Sequence, residues 1–147
     1  MTSSTNPAAC NCLALRQAAR HLTQFYDQQL APSGLRATQY SILARLERRG
    51  PMTINALAAE LVMDRTTLGR NVLPLQRDGL VAIAPGKSDR RSKELRLTVF
   101  GAARLGTARK GWTQAQLQFE RTFGTARAKA LRELLDDVTS SEPAMGA

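Results

Sequence analysis

Two short helical patterns, followed by a basic loop between two short strands, constrain the fold of this chain more than any other feature. Residues 53–64 (TINALAAELVMD) predict a compact helix, and Asp64 can cap a second one, RTTLGRNVLPLQRD, which Gly79 closes. The stretches LVAIA and ELRLTV have the composition of strands on either side of the loop GKSDRRSK. Together with a preceding helix that Thr38 can cap and Gly50 ends, they predict a winged helix-turn-helix over residues 38–98.

Longer helical patterns flank this module on both sides. Residues 11–30 repeat apolar side chains at helical spacing, and Thr98 can cap a long helix that Gly124 ends. A last helix is predicted at residues 126–138, and the long helix carries an apolar stripe of Leu105, Ala108, Trp112, Ala115, Phe119 and Phe123. We therefore predict a single, mainly α domain over residues 1–147 with a small β-hairpin wing. Its flanking segments, 11–31 and 99–139, are expected to bury their stripes in a homodimer.

The charge of the chain indicates an anionic partner. Its 147 residues carry 21 Lys and Arg against 12 Asp and Glu, which gives a formal net charge of +9 and a pI near 10.8. Such a balance favours nucleic acid. No run of about 18 apolar residues occurs, and the start MTSSTNPAAC lacks the pattern of a signal peptide. We therefore expect a cytoplasmic protein without membrane contact, whose two cysteines are thiols.

The second helix of the helix-turn-helix holds the first set of candidate DNA contacts. In this motif the helix lies in the major groove, with its N-terminal residues against base edges and phosphates. An arginine fork matches guanine, and a threonine offers a hydroxyl and a methyl group. The residues at these positions are Arg65, Thr66, Thr67 and Arg70. Pro74 forfeits the hydrogen bond to the carbonyl of Arg70, so a kink is expected after the DNA-facing turns.

The basic hairpin loop supplies a second set of candidate contacts. A loop at the tip of two strands reaches the minor groove, where Arg90 or Arg91 is expected to insert. Asp89 would be repelled by phosphate, so we predict that it pairs with a neighbouring arginine and fixes the direction of its guanidinium. The turn itself and the phosphate contacts are assigned to Gly86, Lys87, Ser88 and Lys93.

Two motifs carry a resemblance to a known family. SDRRSKELRLTVFG resembles the wing signature of MarR-family transcriptional regulators, and LAAELVMDRTTLGRNVLPLQRDGLV is similar to their helix-turn-helix. The resemblance implies a homodimer with interlocking first and last helices, double-stranded DNA with an inverted-repeat operator as partner, and repression relieved by a small phenolic or other aromatic ligand. It also gives Asp89 and Arg91 the family's wing roles. A pocket for the ligand is expected between the dimer helices and the winged module, lined by Leu15, Leu22, Phe25, Tyr40, Ile42 and Trp112.

The first helix suggests an alternative signal. NCLALRQAARHLTQFYDQQL resembles the organic-hydroperoxide-sensing branch of the family, with Cys12 at the reactive cysteine and Tyr26 at the tyrosine that contacts it. These residues are fourteen positions apart, roughly 21 Å along one helix, so only an antiparallel dimer could join them. Cys10 is a candidate resolving thiol, but residues two positions apart in a helix point about 200° apart, so a bridge within the chain needs the helix start to unwind. A disulfide between subunits is the alternative. Cys12 as a small core residue and Cys10 as a free terminal thiol is the simpler interpretation.

Other classes of function have less support in the sequence. No Gly-rich phosphate loop, Ser/His/Asp set or HExxH motif occurs, so neither an enzyme nor a cofactor site is expected. A metal site would have to combine Cys10, Cys12 and His21, but His21 is roughly 13 Å along the helix from Cys12, and no metal is expected. A constitutive architectural protein that coats DNA stays open as a further alternative, distinguished by the absence of sequence preference.

Overall fold

The chain folds into helices around a small sheet. The computed structural model describes residues 5–87 and 89–141, and within them it has six α-helices and three strands. The helices are α1 (Asn11–Leu30), α2 (Ala37–Arg49), α3 (Ile54–Glu60), α4 (Arg65–Arg77), α5 (Val99–Phe123) and α6 (Thr125–Ser140), and the strands are β1 (Met52–Thr53), β2 (Val81–Pro85) and β3 (Lys93–Leu97). None of the described helices is long and apolar enough to span a bilayer. The predicted mainly α fold with a β wing is confirmed.

Helix α2 starts in a way that the sequence did not indicate. The prediction that Thr38 is its N-cap is wrong, because α2 begins at Ala37 and Arg36 occupies the cap position. The first free amides are satisfied from elsewhere: Ala37 N donates to Asp27 Oδ1 of α1 at 2.7 Å. Arg36 N donates to Gln39 Oε1 at 3.0 Å. A carboxylate from a neighbouring helix therefore replaces the local hydroxyl cap that the pattern suggested.

The helix-turn-helix consists of α3, a short turn and α4. Thr53 Oγ1 accepts a hydrogen bond from Ala56 N at 3.1 Å at the start of α3. The predicted cap of α4 is confirmed, since Asp64 Oδ1 accepts from Thr67 N at 2.8 Å. Between them Val62 has a φ of 52°, in the left-handed region that a β-branched residue rarely adopts. Helix α4 continues through Pro74 to Arg77, so the proline does not end it.

The predicted hairpin is the larger part of a three-stranded antiparallel sheet in the order β1-β3-β2. Val81 pairs with Leu97 and Pro85 with Lys93, which sets the tip of the wing at the loop between them. The two-residue strand β1 is too short to show an alternating pattern, and it pairs through Met52 and Leu95. Leu95 is fully buried, so the sheet anchors the wing to the core.

One core joins the winged module to the helices around it. Its fully buried side chains come from both the central helices and the flanking ones; they include Leu30, Ile42, Leu43, Leu57, Leu68, Leu75, Leu95 and Leu105. Helix α5 packs against α1, α2 and β3, so it links the wing to the first helix. The position of the wing relative to α1 is therefore set by α5.

Two glycines allow α5 to approach its neighbours closely. A Cβ on Gly101 would lie 2.0 Å from the carbonyl oxygen of Leu80, and one on Gly111 would lie 2.3 Å from that of Gln29. Both contacts are with backbone atoms, which cannot rotate away. Any side chain at either position would push α5 off the wing or off the end of α1.

We expect Gly101→Ala to lower the free energy of unfolding by about 1–3 kcal/mol, because the added methyl overlaps the backbone of Leu80. Gly106→Ala is the matched control in the same helix, since a Cβ there meets no atom within 4 Å. Alanine's higher helix propensity should raise the free energy of unfolding of that variant by about 0.5–1 kcal/mol. Chemical denaturation measures both, and equal stability of the two variants would contradict the close approach of α5.

Candidate nucleic-acid interface

Helix α4 exposes one face and buries the other. Leu68, Val72 and Leu75 are nearly or fully buried against the core. The four residues predicted to contact DNA are all exposed in the N-terminal half of the helix: Arg65, Thr66, Thr67 and Arg70. The apolar stripe thus fixes the rotation of α4, and the polar face is directed away from the core.

The N-terminus of α4 is held by a compact hydrogen-bond set. The hydroxyl of Thr67 donates to Asp64 Oδ2 at 2.7 Å, in addition to the bond from its backbone N–H. These bonds, from the backbone amide first and the hydroxyl second, lower the pKa of Asp64 below its usual value. Asn71 Nδ2 donates to the carbonyl of Thr67 at 2.9 Å. The hydroxyl proton of Thr67 is therefore engaged in capping, which leaves Arg65, Thr66 and Arg70 as the outward-facing groups.

The loop of the wing is organised by Asp89 in a way that corrects the sequence prediction. Its carboxylate oxygen Oδ1 accepts a hydrogen bond from the backbone N–H of Arg91 at 3.0 Å. Its carbonyl oxygen accepts from Ser92 N at 3.2 Å and from Ser92 Oγ at 2.9 Å. Within residues 5–87 and 89–141 no arginine guanidinium lies within ion-pair distance of Asp89, so the expected pairing with an arginine side chain is wrong. The carboxylate shapes the turn through the backbone instead.

The wing closes on a glycine. Gly86 N donates to the carbonyl of Ser92 at 2.7 Å. A Cβ on Gly86 would lie 2.8 Å from the carbonyl oxygen of Asp89. Lys87, Arg90 and Arg91 are exposed at this tip, whereas Ser88 lies outside the described residues. The tip therefore presents cations to solvent from a turn that is hydrogen-bonded on its inner side.

A polar groove of about 410 Å³ brings the wing and α4 together. Arg65 of α4 lines one side of it, and Arg91 and Lys93 of the wing line another. Thr53, Ile54 and Asn55 at the start of α3 complete the lining with Asp89 and Ser92. The sequence analysis did not identify Asn55 as part of this surface. Its only signal in the sequence is an amide side chain two positions after Thr53, the N-cap of α3. The groove joins the two predicted sets of DNA contacts into one surface.

The residues predicted to line a ligand pocket do not form a single site. Leu22 and Phe25 line a cavity of about 460 Å³ between α1, α5 and α6, together with Ala18, His21, Gln118, Phe119, Thr122, Phe123 and Leu131. Ile42 is instead fully buried in the core, and Tyr40 stacks on Trp112 with ring centroids 6.0 Å apart. Burial raises the pKa of the Tyr40 hydroxyl. Leu15 is 41% exposed on α1. Ile42 and Tyr40 therefore belong to the packed interior.

The cysteines occupy the beginning of α1. Both Cys10 and Cys12 are free thiols and exposed, so Cys12 is not the buried core residue that the simpler interpretation expected. Cys10 lies outside the helix as its N-cap, with extended backbone, and its Sγ accepts from Leu13 N at 3.4 Å. The 200° separation calculated for two helical residues therefore does not apply to this pair. Tyr26, farther along α1, donates to Gln116 Oε1, and burial followed by the charge of Glu120 raises its pKa.

We expect Asp89→Ala to speed amide exchange at Arg91 about fivefold, because a lost hydrogen bond is worth roughly 1 kcal/mol. Asp89→Asn is the matched control: it removes the charge but keeps the Oδ1 acceptor, so exchange should stay near wild type. Hydrogen exchange followed by NMR measures both variants. If both substitutions speed amide exchange at Arg91 by the same factor, the charge of Asp89 and not its hydrogen bond to the backbone organises the wing.

Comparisons with known proteins agree with this arrangement. A model of the MarR family matches residues 35–93, from the turn before α2 to the start of β3. The crystal structure of the M. tuberculosis transcriptional regulator MosR has 34% sequence identity and a TM-score of 0.77, covering 90% of this chain and 98% of that one. The structure of MosR in complex with DNA has 37% identity and a TM-score of 0.74, covering 90% and 99%.

Two curated relatives match over shorter stretches. YwoH of Bacillus subtilis, an uncharacterized HTH-type transcriptional regulator, is 33% identical over 84 residues, 57% of this chain. BadR of Rhodopseudomonas palustris, a transcriptional activatory protein, is 31% identical over 90 residues, 59% of this chain. The chain spans 61% of the length of YwoH and 51% of that of BadR. Across the part of this chain that the structure describes, no three His, Cys, Asp or Glu side chains group as metal ligands would.

Proposed function

Because this chain belongs to the MarR family of transcriptional regulators, we propose that it is a cytoplasmic homodimer that binds double-stranded DNA at an inverted-repeat operator and represses transcription. The observation that most supports DNA binding is the groove that Arg65 of α4 lines together with Arg91 and Lys93 of the wing. A helix in the major groove and a wing whose arginine enters the adjoining minor groove need cations at these positions. The similarity to MosR, which was solved in complex with DNA, supports the same partner.

The homodimer is supported by apolar side chains that the single chain leaves in solvent. Six of them lie on α1, on the C-terminal half of α5 and on α6, all parts of the segments predicted to dimerise: Leu13 and Leu15 on α1, Leu117 on α5, and Leu134, Leu135 and Val138 on α6. Their exposed fractions range from 37% to 63%. A second copy of the chain would remove this surface from water. Dimerisation would also place two copies of α4 at a fixed spacing, as an inverted repeat with half-sites roughly 10 bp apart requires.

We expect Leu134→Glu to weaken the dimer on the order of 100-fold, because each of the two copies loses an apolar contact and buries a charge. Operator binding should weaken with it. For the sedimentation measurement Leu73→Glu is the matched control, since Leu73 on α4 is 63% exposed like Leu134 and lies outside the segments 11–31 and 99–139. Sedimentation equilibrium and mobility shift on the DNA upstream of the gene measure the two effects. A wild-type chain that sediments as a monomer at micromolar concentration would contradict the proposal.

A small aromatic ligand is the proposed signal. The cavity between α1, α5 and α6 has a volume of about 460 Å³, within the usual range of ligand pockets. Phe25, Phe119 and Phe123 line it, and the last two stack with centroids 5.2 Å apart. A ligand there would separate helices that belong to the proposed dimer interface and so change the spacing of the two α4 helices. Mobility shift in the presence of phenolic and other aromatic acids tests this; binding unaffected by all of them would contradict the ligand and leave DNA binding standing.

A thiol-based sensor of organic peroxide is the second candidate, favoured by the exposure of Cys10 and Cys12 at the start of α1. A peroxide would supply the oxidant: the Cys12 thiolate attacks its distal oxygen, which gives a sulfenic acid and an alcohol. The Cys10 thiol then displaces water from the sulfenic sulfur and forms a disulfide. The bond would withdraw the Cys10 sulfur from Leu13 N, the donor that it caps in the reduced chain.

We expect peroxide to release the wild-type protein from DNA. The mass of the chain should fall by about 2 Da, because disulfide formation removes the two thiol hydrogens. Cys12→Ser should bind DNA normally and not respond, since the attacking sulfur is gone. Cys10→Ser keeps an oxygen that can cap α1 and should stop at the sulfenic acid, a mass gain of about 16 Da. Mass spectrometry beside the mobility shift distinguishes these states, and a full response by Cys12→Ser would eliminate this candidate.

A further inference from the structure

Arg36 stands at the start of α2, where neither helix chemistry nor local packing favours an arginine. It is the N-cap residue, a position that prefers Ser, Thr, Asp or Asn because their oxygens accept from free helix amides. A guanidinium has no acceptor. Its positive charge also lies at the positive end of the helix macrodipole, which is unfavourable. Arginine here therefore costs stability that one of the ordinary caps would have supplied.

Other residues already do the capping that Arg36 cannot do. Asp27 accepts from Ala37 N at 2.7 Å, and Gln39 accepts from Arg36 N at 3.0 Å. The side chain of Arg36 is exposed, and within the described residues no carboxylate lies within ion-pair distance of it. A residue that is unfavourable for its local structure and gains no stabilising contact in the fold is expected at a functional surface.

The surface around Arg36 adjoins the candidate interface on its other side. A polar groove of about 370 Å³ lies between α1, α2 and α4, lined by Thr23, Asp27, Arg36, Thr38, Gln39, Arg70, Asn71 and Pro74. Arg36 and Arg70 thus contribute cations from two different helices to one groove. Asp27 is the acid in this lining, and its Oδ1 is engaged by the start of α2.

The two grooves lie on opposite sides of α4. Arg65 and Arg70 are five positions apart, which places them roughly 140° apart around the helix axis. Arg65 lines the groove beside the wing, and Arg70 lines the groove beside α2. A helix in the major groove has a phosphate backbone on each side of it, about 12 Å from one rim to the other. The wing side meets one backbone, so the side with Arg36 and Arg70 faces the other.

We infer that Arg36 binds a phosphate of the DNA strand on the α2 side of the recognition helix, next to Arg70. This assigns α2 a direct part in DNA binding, and it rests on the proposed function. The contact carries no base information, so it acts equally on all sequences and registers the helix in the groove. The gain in DNA affinity offsets the unfavourable cap.

The test compares Arg36→Ser with Arg48→Ser in the full chain. Arg48 is exposed in the last turn of the same helix, about 18 Å from Arg36 along its axis, so both variants lose one charge per subunit. Binding to the upstream operator and to an unrelated duplex is measured by fluorescence anisotropy from 50 to 200 mM salt. Each lost phosphate contact reduces the salt slope by about 0.9. With two contacts in the dimer, wild type should lose roughly tenfold more affinity over this range than Arg36→Ser.

The expected result is a shallower salt slope for Arg36→Ser on both duplexes, a wild-type slope for Arg48→Ser, and recovery of the slope in Arg36→Lys. Serine can cap α2, so the thermal midpoint of Arg36→Ser should equal or exceed that of wild type, which excludes unfolding as the cause. If wild type binds the operator and Arg36→Ser keeps its salt slope, this inference is overturned while the proposed function stands. If wild type binds no duplex at either salt concentration, the proposed function fails and the inference with it.

Discussion

The burial of one stripe of α4 determines most of what this protein presents to a partner. Helix α4 packs against α2, α3 and β2, and its residues Leu68, Val72 and Leu75 are each at most 3% exposed. Because the three lie on one side of the helix, their burial leaves no freedom for α4 to rotate. The N-terminal half of the opposite side then has to carry Arg65, Thr66 and Arg70 outward. The packing also ties α4 to strand β2 of the sheet that carries the wing.

The cations around α4 repel one another unless an anion neutralises them. On one side of α4 Arg65 shares a groove with cations of the wing, and on the other side Arg70 shares a groove with Arg36 of α2. The net charge of the chain is +9. Held close without counter-charge, these cations repel one another and lower the stability of the folded chain. A DNA duplex offers phosphates on both sides of the major groove and would convert that repulsion into affinity. Among the residues that the structure describes, neither Asp64 nor Asp89 forms an ion pair with an arginine; both accept backbone N–H groups and hold the elements that carry the cations.

Local rules are broken at two positions next to the helices of the winged module. Arg36 occupies a cap position that it cannot serve, and Val62 holds a left-handed backbone in the turn between α3 and α4 while 72% exposed. Both residues cost stability in the isolated chain. Elsewhere the local choices agree with the fold: Thr53, Asp64 and Thr98 each cap the helix that follows them. Arg36 lines a groove with Arg70 of α4, where a side chain selected for a partner is expected to break a local rule.

The sequence by itself determined the order and type of the elements. Hydrophobic period, capping residues and glycine stops are local signals, and they predicted the flanking helices, the helix-turn-helix and the β-hairpin together with the exposed residues Arg65, Arg70 and Arg91. Tertiary structure decided everything that depends on residues distant in the chain. Asp27 of α1 caps α2 in place of Thr38, and β1 is a strand only because β3 lies beside it.

The same division holds within the candidate sites. Asp89 was predicted to pair with an arginine because charge can be read from sequence, whereas the backbone N–H that it accepts depends on the turn. Ile42 and Tyr40 were predicted to line a pocket because they are apolar or aromatic, but whether such a side chain faces a cavity or the core is settled by packing. Arg36 and Arg70, thirty-four positions apart, share a groove only after α2 and α4 have packed. Sequence fixes which chemical groups are available; the long-range burial of apolar surface decides which of them meet.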